Sequence, residues 1–326
     1  MMQARQAFFD ETGGPEVIQW CDVELGDPGE GQILVRHEAV GVNFIDTYHR
    51  GGVYPIELPS GLGLEAAGIV AAIGAGVSGF SPGMRVATMS AGPGAYADAR
   101  IIPASAAVPL PERVSCEIAA ASLLKGCTTE FLVERCGRVQ PGWTVLVHAA
   151  AGATGQMLVQ WLKHIGAMVI GTVSSAQKAV IAERAGADLI VRYDHEDVAE
   201  KVRDYTGSEG ARVVFDGVGM ATWESSLKST AKRGLVISFG NASAPVTDVA
   251  LGALAQHGSL FVTRPTLFNY YADPGEAAAG LGRLFEMLAS DAVTVEIGQR
   301  YPLEAAAQAH RDLEGRTTIG ASILIP

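Results

Sequence analysis

Residues 145–156 carry the sequence VLVHAAAGATGQ, which indicates the fold of the chain more clearly than any other segment. Its first three residues are aliphatic and predict a buried strand, which a run of small residues then ends in a tight turn. The residues that follow, 156–163, place apolar side chains on one side of a predicted helix. A strand, a small-residue turn and a helix form the start of a Rossmann unit, in which the helix N–H groups bind the pyrophosphate of a dinucleotide.

The glycine spacing of this turn differs from the usual Gly-x-Gly-x-x-Gly at its first position. The three places are filled by Ala150, Gly152 and Gly155. Small residues there let the backbone approach a pyrophosphate closely. The alternative interpretation is a tight turn in an α/β protein that binds no nucleotide.

The composition predicts a compact and ordered chain. Its 326 residues are enough for two domains with sizeable cores, and 48% of them are hydrophobic whereas only 18% are charged. The formal net charge of −11 would repel phosphate backbones and anionic lipids, so we expect no nucleic-acid and no membrane partner. The start of the chain lacks the apolar run of a signal peptide, and we therefore expect a cytoplasmic protein.

The four cysteines, Cys21, Cys116, Cys127 and Cys136, show no Cys-x-x-Cys spacing. This argues against a zinc knuckle and against a thioredoxin-like motif. We interpret them as small core residues of a protein in a reducing compartment.

The pattern of the chain changes near Ser115. Before it, short runs such as 33–36 and 68–73 lie between glycine and proline turns and predict a β-rich domain. After it, a helix is predicted from 117, a second helix passes through 131–133, and strands then alternate with helices. The predicted strands are 144–148, 168–172, 188–191, 212–216, 234–239 and 259–262, and the predicted helices are 155–165, 177–185, 196–205 and 223–230.

Alternation of this kind predicts an α/β fold, a doubly wound parallel sheet with helices on both faces. The tail from 267 breaks the pattern with helices at 274–290 and 303–313 and a strand at 322–325. We expect this tail to fold back onto the first domain. The predicted domains are therefore 1–125 together with 267–326, and a Rossmann domain at 126–266.

The end of the second predicted strand indicates which cofactor binds. NAD-binding units usually place an acidic residue there to hold the ribose 2′-hydroxyl. This chain has Ser174 and Ser175 instead, and Lys178 comes one helical turn later. A 2′-phosphate is repelled by a carboxylate and attracted by a lysine, so we predict NADPH rather than NADH. The alternative for Lys178 is a solvated lysine on a helix surface.

Other strand ends add candidates, because ligands of open α/β sheets bind at the carboxyl ends of the strands. Tyr193 follows the third strand, where it would stack on adenine, donate to the phosphate, or be structural. The segments 216–219 and 238–241 follow two further strands.

Motifs along nearly the whole chain support a more specific interpretation. They are GVNFIDTY at 41–48, GLGLEAAG at 61–68, LKG at 124–126, the turn and helix at 149–163, SFGN at 238–241 and VTRP at 262–265. With these motifs the chain resembles the zinc-free quinone oxidoreductases, relatives of zeta-crystallin in the medium-chain dehydrogenase/reductase superfamily. The resemblance implies a GroES-like catalytic domain, a Rossmann domain, and NADPH bound in a cleft between them.

Two positions differ from the family pattern. The family has paired glycines where this chain has Gly152 and Ala153, and the additional methyl group is expected to crowd the pyrophosphate. The family leucine after Lys-Gly is Cys127, which precedes the implied nicotinamide contact Thr128.

The resemblance also implies functional residues. Asn43 and Tyr48 would lie near the nicotinamide, and Tyr54 would line the substrate opening; these three are the catalytic candidates. Arg316 would join Lys178 and Tyr193 at the 2′-phosphate. The implied cofactor-binding residues are Asn43, Asp46, Thr128, Gly152, Ala153, Thr154, Gly171, Ser174, Lys178, Tyr193, Gly217, Phe239, Gly240, Asn241, Arg264 and Arg316.

Without the resemblance these residues have simpler interpretations. Asn43 and Asp46 have the spacing of a helix cap, and Tyr48 and Tyr54 would be half-buried core or rim residues. Arg264 would be a partner in a surface salt bridge.

The resemblance also predicts that no metal binds. Zinc-dependent relatives carry a cysteine where Asn43 falls and a histidine where Leu64 falls, and neither residue of this chain suits zinc. Their four-cysteine lobe is missing as well. Alcohol dehydrogenation is therefore disfavoured, and a conjugated acceptor that takes hydride without a Lewis acid fits better.

We therefore predict an enzyme that uses NADPH to reduce a quinone by hydride or stepwise electron transfer. No general acid is required, because a hydroquinone anion can take its proton from solvent. If a side chain does donate this proton, Tyr48 and Tyr54 are the candidates. One alternative is reduction of an enal or enone double bond. Another is a non-enzymatic NADPH-binding crystallin or RNA-binding protein, although the negative charge argues against RNA. We expect a homodimer in which the strand near 259–262 pairs edge to edge.

Overall fold

The computed structural model describes the whole chain, Met1–Pro326. The β-strands are β1 (Met2–Phe9), β2 (Gln19–Leu25), β3 (Gln32–Val42), β4 (Ser60–Gly61), β5 (Ala66–Ile73), β6 (Arg85–Thr88), β7 (Ala99–Pro103), β8 (Ala107–Pro109), β9 (Thr144–Val147), β10 (Met168–Val173), β11 (Leu189–Arg192), β12 (Ala211–Asp216), β13 (Thr230–Ser238), β14 (Phe261–Thr263), β15 (Ile297–Pro302) and β16 (Ala321–Ile325). The α-helices are α1 (Phe44–Arg50), α2 (Cys116–Glu130), α3 (Ala153–Ile165), α4 (Ala176–Arg184), α5 (Val198–Tyr205), α6 (Met220–Ser229), α7 (Leu251–Gln256), α8 (Leu267–Tyr270), α9 (Pro274–Ala289) and α10 (Ala306–Glu314). None of these helices combines the length and the apolar character that a membrane span needs.

The chain forms two compact units. The first consists of Met1–Leu124 and Val295–Pro326, and the second of Lys125–Thr294. The second boundary therefore lies at 295, whereas the sequence placed it at 267. The intervening segment is held by the second unit, since Arg135 Nη1 donates to the carbonyl of Tyr270 at 2.8 Å and Tyr271 donates to Glu130 at 2.7 Å.

The second unit contains one sheet of six strands in the order β11-β10-β9-β12-β13-β14. Numbered from β9, this is the 3-2-1-4-5-6 order of a dinucleotide-binding Rossmann sheet. Every neighbouring pair in it is parallel, so the carboxyl ends of the strands lie along one edge. The predicted doubly wound parallel sheet is confirmed.

The strands and helices predicted in this unit match the observed ones to within a few residues, with one exception. The helices predicted from 117 and through 131–133 form one continuous segment, because α2 runs directly into a π-helical turn at Phe131–Cys136. Gly126 does not interrupt this segment. It provides space, since a Cβ there would lie 2.8 Å from Leu284 Cδ2.

The first unit is built mainly from strands, as predicted. A three-stranded sheet has the order β2-β1-β4, and a seven-stranded sheet has the order β15-β16-β3-β5-β6-β8, with β7 also paired to β3. Buried residues such as Phe9, Val40, Leu62 and Leu324 form its core. The last strand of the chain joins this unit by pairing antiparallel with β3.

The start of α3 has no space for a side chain at Gly155. A Cβ there would overlap the carbonyl oxygen of Ala149 and lie 2.9 Å from Ala150 Cα. We expect Gly155→Ala to lower the free energy of unfolding by about 1–3 kcal/mol through overpacking, although alanine favours helices by about 1 kcal/mol. Urea unfolding measures this change.

Gly252→Ala is the matched control for this substitution. Gly252 is also helical, in α7, and a Cβ there meets nothing within 4 Å. The control should be as stable as the parent protein or slightly more stable. Equal stability of the two variants would contradict the steric argument.

Candidate functional site

The carboxyl edge of the six-stranded sheet is the candidate ligand site of the second unit. The central strands β9 and β12 are direct neighbours there, and the chain leaves them toward opposite sides of the sheet order. Such a topological switch point is where ligands bind in open α/β folds. Gly152, Gly217 and Gly240 lie in the turns that follow strands of this part of the sheet, whereas Gly171 is buried inside β10.

The turn from β9 to α3 leads the main chain directly into a helix N-terminus. Ala149 takes a left-handed conformation with φ of +53°, and the Gly152 N–H donates to its carbonyl at 2.9 Å. Gly152 is exposed and is the N-cap of α3. The first N–H groups of a helix, here including those of Ala153 and Thr154, lack acceptors within the helix and bind anions. This turn therefore fits a pyrophosphate.

The ends of β12 and β13 come together through two glycines. A Cβ on Gly240 would overlap the carbonyl oxygen of Gly217, and a Cβ on Gly217 would lie 2.8 Å from Phe239 Cζ. The Phe239 N–H donates to the carbonyl of Asp216 at 2.8 Å, and Arg264 Nη1 donates to the carbonyl of Ser238 at 2.7 Å. The structure thus places Gly217, Phe239, Gly240, Asn241 and Arg264 around three adjacent strand ends.

A buried polar network lies at the same end of the sheet, and sequence reasoning missed it. Ser226 Oγ donates to Asp216 Oδ2 at 2.7 Å and lies 3.0 Å from His148 Nε2, while His148 Nδ1 lies 3.0 Å from Thr172 Oγ1. Since the single Ser226 proton goes to the carboxylate, His148 donates through Nε2 and accepts at Nδ1. Burial lowers the pKa of His148, which is therefore a neutral link.

Asp216, a member of this network, also accepts hydrogen bonds from the turn after β12. Its Oδ1 accepts from the N–H groups of Val218 at 2.9 Å and Gly219 at 3.0 Å, and Thr222 donates to the same carboxylate at 2.8 Å. The signal in the sequence would have been a histidine and an aspartate that each end an apolar strand.

The candidate 2′-phosphate residues lie at the ends of β10 and β11. Val173 pairs with Arg192, and the Tyr193 N–H donates to the carbonyl of Val173 at 3.2 Å. Ser175 caps α4 by accepting from the Lys178 N–H at 3.3 Å. Ser174 and Lys178 are half-buried, whereas Tyr193 is 46% exposed. The sequence places no carboxylate directly after β10, and the structure brings these candidates onto two adjacent strand ends.

The candidates of the first unit are grouped around α1. Asn43 is the N-cap of this helix, and its N–H donates to Asp46 Oδ2 at 2.9 Å. The rings of Tyr48 and Tyr54 meet edge to face with their centroids 5.2 Å apart, and the Tyr54 N–H donates to the carbonyl of Tyr48. Both tyrosines are half-buried, which agrees with a core position as well as with the rim of a site.

Asp46 is also the end of a second buried network that the sequence did not reveal. Tyr96 Oη lies 3.0 Å from both Asp46 Oδ2 and His310 Nε2, and His310 Nδ1 lies 3.0 Å from Arg50 Nη1. Arginine can only donate, so His310 accepts at Nδ1, donates to Tyr96 from Nε2, and Tyr96 donates to Asp46. Burial and the Arg50 guanidinium lower the pKa of His310 to about 3.

Arg50 closes this network at the end of α10. Its Nη2 donates to Glu314 Oε1 at 2.6 Å and its Nε donates to the carbonyl of Gly13 at 3.0 Å. The network thus ties the helix of Asn43 and Tyr48 to α10, which ends two residues before the exposed Arg316. Its members lie far apart in the sequence, so no local motif could have indicated it.

Three further observations concern cysteines and metals. Thr128 is half-buried in α2 and follows the fully buried Cys127, and all four cysteines are free. No group of three or more His, Cys, Asp or Glu side chains is arranged to hold a metal ion. Asn43 donates its side-chain amide to Glu65, and Leu64 is buried and apolar, so these two positions do not fit zinc.

Two protein-family models match the chain. One is described as the alcohol dehydrogenase GroES-like domain and matches residues 29–112. The other is described as zinc-binding dehydrogenase and matches residues 153–272. The two matches fall within the first and the second unit, respectively. Together with the Rossmann strand order, they define the class of the protein as a medium-chain dehydrogenase/reductase.

Individual relatives narrow this class. A quinone oxidoreductase of Pseudomonas aeruginosa is 45% identical over 99% of this chain and 100% of its own. A 2-haloacrylate reductase of a Burkholderia species is 38% identical over 98% of both chains. The crystal structure of the Escherichia coli quinone oxidoreductase complexed with NADPH superposes with a TM-score of 0.96 at 46% identity, and covers 99% of this chain and 100% of that chain. The chain belongs to the quinone oxidoreductases of the medium-chain dehydrogenase/reductase superfamily, which confirms the resemblance found in the sequence.

Proposed function

We propose that the protein is an enzyme that reduces quinones with NADPH. The observation that carries this proposal is the carboxyl edge of the parallel sheet, where a small-residue turn enters α3 and serines with Lys178 follow β10. The names of the relatives and the NADPH complex of the Escherichia coli enzyme support it. Bound NADPH would supply the reducing equivalents, as hydride or as single electrons.

The residues that would hold the cofactor have distinct tasks. The N–H groups of Ala153 and Thr154 would bind the pyrophosphate at the N-terminus of α3, and Gly152 would let the phosphate approach the main chain. Ser174, Lys178, Tyr193 and Arg316 would bind the 2′-phosphate, and Asn43, Asp46 and Thr128 would position the nicotinamide. Gly171, Gly217, Phe239, Gly240, Asn241 and Arg264 would shape the surface on which the cofactor lies.

We further propose that the reaction needs no metal. The amide of Asn43 is engaged with Glu65 and the side chain of Leu64 is apolar, so neither offers a zinc ligand. A quinone can accept hydride without a Lewis acid because its ring delocalises the charge. Tyr48 and Tyr54 would line the opening through which the flat substrate enters, and they are the nearest candidates for a proton donor in this proposal.

A panel of acceptors tests the reaction. We expect NADPH oxidation, followed by absorbance, with ortho- and para-quinones, and no reduction of NADP⁺ by primary alcohols. Turnover of simple enones without turnover of ortho-quinones would contradict quinone reduction. Tight NADPH binding without oxidation by any acceptor would favour the non-enzymatic alternative.

A second candidate function is reduction of an activated carbon–carbon double bond. The observation in its favour is the full-length similarity to a 2-haloacrylate reductase. The same arrangement would serve both reactions, because a conjugated alkene also accepts hydride without a metal. The acceptor panel separates the two functions when it includes enals, enones and haloacrylates.

The choice of cofactor can be tested at Lys178. We expect Lys178→Glu to weaken NADPH binding at least tenfold and to change NADH binding much less, because a carboxylate would face the 2′-phosphate. Lys232→Glu is the matched control: it makes the same change in charge near the amino end of β13, on the opposite edge of the sheet. Titration of cofactor fluorescence measures both affinities, and unchanged NADPH affinity in Lys178→Glu would show that the lysine points elsewhere.

We also propose a cytoplasmic homodimer. β14 is the edge strand of the six-stranded sheet, and its Phe261 and Val262 are 63% and 37% exposed, which supports edge-to-edge pairing with a second copy. The four free cysteines support a reducing compartment. Sedimentation equilibrium should give twice the mass of the chain for the parent protein and a monomer for Phe261→Lys; a monomeric parent protein would contradict the dimer.

A further inference from the structure

Glu65 is a fully buried carboxylate to which the proposed function gives no task. It directly precedes β5. Its Oε1 accepts from the Leu124 N–H at 2.7 Å, and its Oε2 accepts from Asn43 Nδ2 at 2.8 Å. A buried carboxylate is costly unless it is hydrogen-bonded, so the arrangement of donors around Glu65 needs an explanation.

The neighbouring strand leaves space for this carboxylate and for the main chain of α2. A Cβ on Gly41, in β3, would overlap both Glu65 Oε2 and the carbonyl oxygen of Ala120, and would lie 2.8 Å from Glu65 Cδ. The Gly41 N–H also donates to the main-chain carbonyl of Glu65 at 2.9 Å. Gly41 is not among the residues of positive φ, so its missing side chain provides space and not conformational freedom.

The donors around Glu65 fix the orientation of the Asn43 amide. An ionised carboxylate can only accept hydrogen bonds, so Asn43 must turn its NH2 group toward Oε2 and its carbonyl oxygen to the other side. There one lone pair of this oxygen faces the Asp46 N–H in the capping box of α1, which leaves the second lone pair for a ligand. The main-chain N–H of Asn43 is already held by Asp46 Oδ2 at 2.9 Å. An amide that donates to a carboxylate is polarised, which strengthens its own oxygen as an acceptor.

We infer that Glu65 is a positioning residue that makes Asn43 present a hydrogen-bond acceptor to the nicotinamide nucleoside half of the cofactor. This inference rests on the proposed function and deepens it. The carboxamide N–H and ribose hydroxyl groups of that half are donors, whereas the oxygens of a quinone are acceptors. An acceptor at Asn43 can therefore hydrogen-bond with the cofactor but not with the oxygens of the quinone.

Glu65→Gln inverts this arrangement. The Leu124 N–H can only donate, so the new carbonyl oxygen faces it and the new NH2 group faces Asn43. The Asn43 amide must then rotate by half a turn and present its NH2 group to the cofactor. We expect an NADPH affinity about tenfold lower, the size of one lost hydrogen bond, and an unchanged KM for the quinone.

A second substitution should restore binding. In the double variant Asn43→Asp with Glu65→Gln, the new carboxylate accepts from the new amide and offers its other oxygen to the cofactor, and the net charge is that of the parent protein. We expect the double variant to recover most of the NADPH affinity. Asn43→Asp alone places two carboxylates together and should bind NADPH more weakly than the double variant.

Tyr301→Phe is the control for a general loss of structure. It removes a comparable hydrogen bond of the same unit, from Tyr301 to Asp312 at 2.8 Å, and should leave NADPH affinity unchanged. Binding is measured by the fluorescence of NADPH without a quinone, and the melting temperature of each variant is recorded. If Glu65→Gln does not fold, the comparison of the double variant with Asn43→Asp decides the question.

The outcomes separate this inference from the proposed function. A parent protein that does not bind NADPH would overturn the proposed function. A parent protein that binds NADPH, together with a double variant no better than Asn43→Asp or a Glu65→Gln variant of parental affinity, would overturn only the positioning role of Glu65.

Discussion

The second unit depends on the close approach of main chains at the carboxyl edge of its sheet. At Gly155 the helix α3 lies against the turn that precedes it. At Gly217 and Gly240 the segments after two strands are so close that a Cβ on either glycine would overlap the other segment. Such contacts are possible only where side chains are missing. They leave a surface of exposed main chain beside a helix N-terminus, which is the surface that a dinucleotide phosphate requires.

Buried carboxylates hold main-chain segments of both units in place. Asp216 accepts main-chain N–H groups in the turn after β12, and Asp46 and Glu65 accept such groups at the start of α1 and within α2. Each removes charge from water at a cost that several hydrogen bonds offset. The histidines of these networks stay neutral, because burial lowers the pKa of both His148 and His310. The networks therefore hold the turn after β12, the start of α1 and one point of α2 in place through side-chain hydrogen bonds.

The part of the site that the sequence predicted is the part that depends on single strand ends. The small-residue turn, Ser174, Lys178 and Tyr193 lie next to predicted strands, so a local pattern was sufficient to propose them as candidates. The chain of Asp46, Tyr96, His310 and Arg50 has no such pattern, because its members meet only after the last helix returns to the first unit. The continuous α2 was missed for a related reason. Gly126 has a helix-breaking propensity, and only the packing of Leu284 shows why a glycine is tolerated there.

Ala150 shows how the chain accommodates a departure from the usual glycine pattern. Its methyl group faces β10, where a Cβ on Gly171 would lie 2.8 Å from it. The neighbouring strand thus lacks a side chain at the place where the turn has an additional one, and the Ala150 N–H still donates to the carbonyl of Thr172 at 3.0 Å. What matters at this turn is therefore the combined side-chain volume of residues 150 and 171, which lie in the turn after β9 and in the adjacent strand β10. A glycine pattern that considers only the turn counts Ala150 as a mismatch, whereas the packing between β9 and β10 satisfies the same physical condition with the glycine at residue 171.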